Sequence, residues 1–95
     1  MSNAIKQDPA DVMKAGINEL LFIGWKKTSV IGNEFNHKAL PKAEVRLLYS
    51  GGVIHIQGWH REGTTEVRFA DYADNEDKML DLVQAMHDSL WEANQ

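Results

Sequence analysis

Hydrophobic residues recur with two different periods along this chain, and these periods predict a helix at each end with strands between them. Near the N-terminus, the apolar residues that share one helical face are Met13, Ile17, Leu20 and Leu21. Asp8 suits the N-cap, Pro9 suits the first helical position, and Gly24 suits the C-terminal end. We therefore predict the first helix over residues 9–23.

Apolar and polar residues alternate in three segments in the middle of the chain, namely 44–49, 53–59 and 64–70. The first two are joined by Ser50-Gly51-Gly52, and a loop at 60–63 precedes the third. Alternation joined by short glycine-containing turns is typical of antiparallel hairpins. The pattern predicts a three-stranded meander whose buried face carries Val45, Leu47, Tyr49, Ile54, Ile56, Val67 and Phe69.

A second helix is predicted over residues 75–92, with Asp74 as its N-cap. Helical spacing places five apolar residues on one face: Met79, Leu82, Val83, Met86 and Leu90. The segment from Trp25 to Asn36 has strand character without clean alternation, so a short edge strand and an ordered loop both remain open. Pro41 is expected to end that segment.

These elements predict one α+β domain over residues 1–95, in the order α-β-β-β-α with a fourth, short edge strand as the alternative. Both helices are expected to cover the same face of the sheet. Residues 1–7 are expected to be disordered or derived from a tag, because Ser2-Asn3-Ala4 is what cleavage of an affinity tag leaves behind.

The other face of the sheet is then left uncovered. By strand parity it carries Glu44, Arg46, Leu48, Val53, His55, Gln57, Trp59, Thr64, Glu66 and Arg68. Trp and Arg are favoured at protein interfaces. We predict that this face binds a protein partner or a second copy as a homodimer. The residues predicted to make the contact are Arg46, Leu48, His55, Gln57, Trp59 and Arg68.

Composition excludes several kinds of functional site and partner. The chain has no cysteine, which excludes disulfides, thiol nucleophiles and cysteine-ligated metals. No secretory signal and no apolar run long enough to span a membrane is recognisable, so we expect a cytoplasmic protein with no membrane partner. The net charge of −4 disfavours nucleic acid as the partner.

No recognised catalytic, cofactor or metal motif is present, so we expect no catalytic, cofactor-binding or metal-ligating residue and no enzyme activity. Two weaker arrangements are present. His55 beside Glu66 or Glu44 would make an acid/base pair. The histidines His37, His55 and His60, with Glu62 or Glu66, lack the spacing of a zinc site.

The sequence thus predicts a small, acidic, non-enzymatic protein-binding module of inhibitor, immunity or adaptor type, a profile found among accessory proteins of mobile elements. The first alternative is a nucleic-acid-binding domain that uses a local basic strip: Lys26, Lys27, Lys38, Lys42, Arg46, Arg61 and Arg68. The second alternative is a small-ligand-binding protein with a cleft between helices and sheet, lined by His55, Trp25, Trp59 and Trp91.

Overall fold

The computed structural model describes residues 6–28 and 32–95, which form two helices and one five-stranded sheet. In chain order the elements are α1 (Pro9–Phe22), β1 (Trp25–Lys27), β2 (Glu34–His37), β3 (Leu40–Ser50), β4 (Val53–Glu62), β5 (Thr65–Ala73) and α2 (Glu76–Ala93). All strand pairs are antiparallel, and the strands lie side by side in sequence order. The predicted α+β class is confirmed, with more strands than the three or four expected.

Two glycine turns set the register of the long strands. Gly51 and Gly52 both have positive φ, and they join β3 to β4 where Ser50 pairs with Val53. Gly63 has a φ of 62° and opens the two-residue loop between β4 and β5. Positive φ costs little at glycine, so each loop can follow the twist of its strands.

The segment between α1 and Pro41 contains the short edge strand that was one of its two predictions, and a second strand that was not predicted. It contains two strands, β1 and β2, and Pro41 is the second residue of β3 rather than a boundary. The pairing of β2 with β3 shifts register between Phe35 and His37, and such an irregularity tolerates a residue without a backbone N–H. Residues 29–31 of this segment, and the Ser2-Asn3-Ala4 part of the predicted tail, lie outside the described residues.

Helix α1 buries Leu20 as predicted, and Met13 and Ile17 pack partly buried against the core, but the centre of its buried line is shifted. Its buried residues are Val12, Gly16 and Leu20, whereas Leu21 is 49% exposed. The reason is Gly16, where a Cβ atom would lie 3.1 Å from side-chain atoms of Leu47 and Met79. Glycine at this point lets the helix approach the sheet and α2 closely.

Helix α2 covers β4 and β5 with the predicted apolar face, because Met79, Val83, Met86 and Leu90 are all buried. Its N-cap is Asn75 rather than Asp74, since the Asn75 side chain accepts a hydrogen bond from the Lys78 N–H at 2.9 Å. The residues of the core are Val12, Leu20, Trp25, Phe35, Leu40, Ala43, Val45, Leu47, Ile54, Ile56, Ala73, Met79, Val83, Met86 and Leu90.

Three residues of the predicted buried sheet face are less covered than expected. Tyr49 is 60% exposed, and Val67 and Phe69 are half-buried. Tyr49 closes β3 at an end of the sheet where the covering layer stops, beside the first turn of α1. Val67 and Phe69 lie on β5, the outer strand, which has a neighbouring strand on one side only.

Candidate interaction surface on the open sheet face

The face of the sheet opposite the helices, called the open face below, presents side chains in rows that cross β3, β4 and β5. The strand register defines three rows: Glu44, Trp59 and Arg68; Arg46, Gln57 and Ala70; and Leu48, His55 and Tyr72. Residues directly opposite each other on antiparallel strands lie within side-chain contact distance. All six residues predicted for the partner surface therefore lie on the open face.

Four of those six residues surround one shallow depression on the open face, with a volume of about 310 Å³. Its lining residues are Arg46, Gln57, Gly58, Trp59, Arg61, Arg68, Phe69 and Ala70. The other two predicted residues, Leu48 and His55, are in the third row and do not line the depression. The predicted surface thus divides into a basic, aromatic-centred depression and a less charged row beside it.

Trp59 is half-buried and forms the aromatic centre of the depression. The Arg46 guanidinium carbon lies 5.9 Å from the centroid of the Trp59 ring, within range of a cation–π interaction. Arg46 also donates a hydrogen bond to the Gln57 side-chain oxygen at 3.3 Å. Among the residues that the structure describes, no carboxylate forms an ion pair with Arg46.

The other two arginines of the depression share one carboxylate. Glu66 accepts hydrogen bonds from Arg61 at 2.7 Å and from Arg68 at 3.0 Å. The hydrogen bond from Arg61, followed by that from Arg68, holds the pKa of Glu66 below its ordinary value. This carboxylate stays ionised and orients both guanidinium groups, and it neutralises only one of the two positive charges.

Charge is unevenly distributed between the two layers of the fold. Residues 25–73, which contain the whole sheet, carry seven basic and five acidic side chains. The rest of the chain carries three basic and nine acidic side chains. The acidic balance of the sequence therefore belongs to the helical segments, and all three arginines line the depression around Trp59.

Sequence reasoning missed Arg61 and Tyr72 as members of this surface, because β4 and β5 are longer than predicted. Ala70 has open-face parity within the predicted third strand and was left off the predicted surface. Strand β4 continues to Glu62 and β5 continues to Ala73, which extends the alternation of the open face at both ends. Tyr72 is 51% exposed and its ring lies 5.9 Å from that of His55. The signal that could have found them is strand parity: Arg61 continues the open-face positions of β4, and Ala70 and Tyr72 continue those of β5.

The histidines do not form the catalytic or metal arrangements that were weighed from the sequence. His55 lies opposite Leu48 and Tyr72, so the register brings it to neither Glu44 nor Glu66. His60 is buried under α2, where its ring approaches the Asn94 side-chain oxygen at 3.4 Å. Within residues 6–28 and 32–95, no three His, Asp or Glu side chains are grouped as a metal ion would require.

A cluster of two histidines and two tryptophans lies on the helix side of the sheet and was not predicted. It joins Trp25, His37, His87 and Trp91, with ring centroids 5.1 to 6.3 Å apart. Burial, and then the neighbouring His37, lower the pKa of His87, while Asp88 acts in the opposite direction. The cluster ties β1 and β2 to α2; its Trp25 is buried, whereas Trp91 is 42% exposed.

The four residues proposed for a small-ligand cleft are divided between the two sides of the sheet. Trp25 is buried on the helix side, whereas Trp59 and His55 lie on the open face. They cannot line one cavity. Another depression, of about 410 Å³, lies between the start of α1 and Tyr49, but it contains none of these four residues.

Within the described ranges, neither helix is long and apolar enough to cross a membrane. Comparison of this chain with known proteins finds no match among protein-family models, curated proteins or solved structures.

Proposed function

We propose that this chain is a non-enzymatic protein-binding module of adaptor, inhibitor or immunity type, and that its open face binds an acidic segment of a partner protein. The observation that carries this proposal is the placement of Trp59 between Arg46, Arg61 and Arg68 in one depression. Tryptophan and arginine are the residues most often responsible for binding energy at protein interfaces.

The charges of the depression favour an acidic partner. Arg46 has no carboxylate partner among the described residues, and Arg61 and Arg68 share the single charge of Glu66. A glutamate or aspartate of a partner would accept paired hydrogen bonds from the planar Arg46 group, which already lies against the Trp59 ring. Glu34 lies opposite Arg46 in the β2–β3 register but forms no ion pair with it, so the guanidinium group is available for such a contact.

The size of the open face also suits a protein partner. The strands β1 to β5 have 3, 4, 11, 10 and 9 residues. With strands about 4.8 Å apart and about 3.3 Å per residue, they give a face of roughly 600 Å². That area approaches the approximately 800 Å² that each partner contributes to a standard protein interface. No ordered cleft is needed for recognition on such a face, because the strands hold the side chains in fixed rows.

The experiment that tests the proposal measures binding of a labelled nine-residue peptide of alternating glutamate and threonine by fluorescence anisotropy. We expect the wild-type chain to bind it, and Arg46→Glu and Trp59→Ala to weaken the binding about tenfold or more. Lys14→Glu is the matched control, because Lys14 is an exposed base on α1. Equal binding by all four chains, or no binding by the wild type, would reject the proposal.

Self-association is the other protein-binding outcome for the same face, and the solution mass separates the two. Light scattering after size-exclusion chromatography should give a monomer for both wild type and Trp59→Ala if the partner is a different protein. A wild-type dimer that Trp59→Ala dissociates would instead assign the open face to a second copy of this chain.

Nucleic acid is a second candidate partner, favoured by one specific observation. Five of the seven residues of the predicted basic strip lie on the open face by parity, namely Lys26, Lys42, Arg46, Arg61 and Arg68. Trp59 and Tyr72 lie on the same face, and exposed aromatic rings among bases are what single-stranded nucleic acids stack on. Binding of a 20-nucleotide single strand that weakens steeply with salt, without binding of the acidic peptide, would favour this candidate.

A further inference from the structure

Strand β5 forms one edge of the sheet and is paired on one side only. It runs for nine residues, Thr65–Ala73, and pairs with β4 from Glu62–Thr65 to Ile54–Ala73 without a register shift. It contains no proline, and no further strand of the described chain lies beyond it. A long, regular edge of this kind is a template for another strand.

The backbone groups that point away from β4 can be identified from the register. The two-residue loop of Gly63 and Thr64 is closed by the pair Glu62–Thr65, and the closing pair of such a hairpin exchanges both hydrogen bonds. Counting by twos, the N–H and C=O groups directed outward belong to Glu66, Arg68, Ala70 and Tyr72. The Tyr72 N–H agrees with this assignment, because it donates to the Asp71 side chain at 2.8 Å rather than to β4.

The opposite edge of the sheet, formed by β1, differs from the β5 edge in length and in charge. Strand β1 has only three residues, and two of them are the exposed lysines Lys26 and Lys27. Short, lysine-rich edge strands are a common protection against unwanted pairing. Strand β5 is three times as long and contains neither lysine nor proline, and its charged residues are Glu66, Arg68 and Asp71.

A groove of about 430 Å³ lies between α2 and Val67 of β5, on the helix side of the sheet. It is lined by Val67, Ala85, Asp88, Ser89, Glu92 and Ala93. The small side chains of Ala85, Ser89 and Ala93 recur every fourth residue of α2 and leave room beside Val67. Asp88 and Glu92 are exposed and form no ion pair within the part of the chain that the structure describes.

We propose that the β5 edge binds an extended, lysine- or arginine-rich segment of a partner protein as a sixth strand of the sheet. The outward N–H and C=O groups of Glu66, Arg68 and Ala70 would supply the pairing, as in other cases of strand addition. At Tyr72 the outward carbonyl would take part, because the N–H already donates to Asp71. Alternate side chains of the added strand would point to the helix side, where Asp88 and Glu92 favour positive charge. The edge shares Arg68 and Ala70 with the depression around Trp59, but the edge would use their outward backbone groups, whereas the depression opens on the face of the sheet.

The same charges disfavour a second copy of this chain at the edge. A two-fold pairing of β5 with β5 would place two α2 helices on the same side of the sheet, facing each other across the symmetry axis. Asp88 and Glu92 of each copy would then approach their equivalents, and such like-charge contacts are unfavourable in an interface. A basic extended segment meets the same groove with opposite charge.

The test uses a nine-residue peptide of alternating lysine and threonine and follows backbone amide signals by two-dimensional NMR. We expect the largest shifts at Glu66, Arg68, Ala70 and Tyr72, and slower hydrogen exchange at the outward amides of this strand. The corresponding glutamate–threonine peptide is expected to shift Arg68 and Ala70 from the depression, but it should not slow hydrogen exchange at the outward amides. Binding of the lysine peptide should weaken as salt is raised, because the ion pairs are exposed.

Two variants separate backbone pairing from charge. Ala70→Pro removes an outward N–H without removing a hydrogen bond to β4, and should abolish binding, whereas Ala70→Thr keeps the N–H and should bind. The double variant Asp88→Lys with Glu92→Lys should bind about three- to tenfold more weakly. Asp81→Lys is the matched control, because Asp81 is an exposed acid of α2 outside the groove.

Thermal unfolding monitored by circular dichroism checks that each variant folds. If Ala70→Pro does not fold, the double variant Asp88→Lys with Glu92→Lys still tests the proposal. Shifts confined to other surfaces, or binding unaffected by the charge variant, would overturn the proposal. A wild-type chain that already dimerises through β5 without peptide would overturn it as well. These outcomes leave the proposed binding of the acidic peptide at Trp59 untouched, because that binding is measured separately.

Discussion

Trp25 donates its indole N–H to Nδ1 of His87 at 3.1 Å, and this bond joins β1 to the middle of α2. The bond requires Nδ1 of His87 to be unprotonated, so the neutral imidazole is the form that fits the folded chain. His37 lies beside His87, with ring centroids 5.6 Å apart, and its Nδ1 accepts the Ala39 N–H at 3.1 Å. The cluster therefore resists protonation of His87.

The first prediction is a loss of stability in mild acid. The pKa of His87 is lowered in the folded chain, chiefly by burial and then by His37, with Asp88 opposing. The unfolded chain then binds more protons than the folded chain once the pH falls below about 6.5, the ordinary histidine pKa. We expect the free energy of unfolding in urea to be lower at pH 5.5 than at pH 7.5.

The control for this prediction is His87→Gln, whose side-chain oxygen can accept the Trp25 N–H but does not titrate. This variant should lose less stability than the wild type between the same two pH values. An equal loss in both chains would show that other groups cause the acid sensitivity.

The second prediction concerns the buried indole itself. His87→Ala leaves the Trp25 N–H without its acceptor, and Trp25 is only 1% exposed. An unsatisfied buried donor costs about 1–3 kcal/mol, so the free energy of unfolding at pH 7.5 should fall by that amount. His55→Ala should cost about 0.5 kcal/mol or less, because His55 is on the open face and its bond to the Ser50 carbonyl is exposed. Similar losses for the two variants would contradict the role assigned to His87.

The third prediction separates backbone strain from a steric clash. Gly24 follows α1 with a φ of 102°, and a Cβ atom there would lie 2.6 Å from Nε2 of His37. That nitrogen is 3.0 Å from the Ile23 carbonyl oxygen, so the imidazole is held in place. Gly63 has a φ of 62° and open space around it.

Alanine at Gly63 should therefore cost about 1–2 kcal/mol, which is the penalty of the left-handed conformation alone. Alanine at Gly24 should cost more, about 3 kcal/mol, because strain and displacement of His37 add together. Chemical denaturation of the two variants measures both values. A Gly24→Ala variant no less stable than Gly63→Ala would mean that the His37 ring moves without cost.

The sequence is sufficient to predict those elements whose pattern is long and strong. Both helices and the three strands β3, β4 and β5 follow from periodicity and turn residues. The short strands β1 and β2 cannot be predicted from periodicity, because each contains a single large apolar residue, Trp25 in a strand of three residues and Phe35 in a strand of four. Their position is set by packing against α2 and β3, which local sequence does not encode.

The faces on which side chains lie are likewise predictable from the sequence in the long strands and not predictable where tertiary packing decides them. Parity along β3 and β4 places Arg46, Gln57 and Trp59 correctly on the open face, since alternation does not depend on tertiary contacts. The buried line of α1 depends on the fit of Gly16 against Leu47 and Met79, and periodicity alone does not place the centre of that line. Predicting that β5 is an edge strand likewise requires the order of the strands in the sheet, which periodicity does not give.

The last prediction contrasts the two tryptophans that the sequence alone treats alike. Trp25 lies in the core, so Trp25→Ala should lower the free energy of unfolding by about 3–5 kcal/mol. Trp59 is half-buried on the open face and contacts its neighbours across the strands, so Trp59→Ala should cost about 1 kcal/mol. Urea unfolding of the two variants gives both values. A large loss for Trp59→Ala would mean that this indole serves the fold, and the open face would then lack its anchor for a partner.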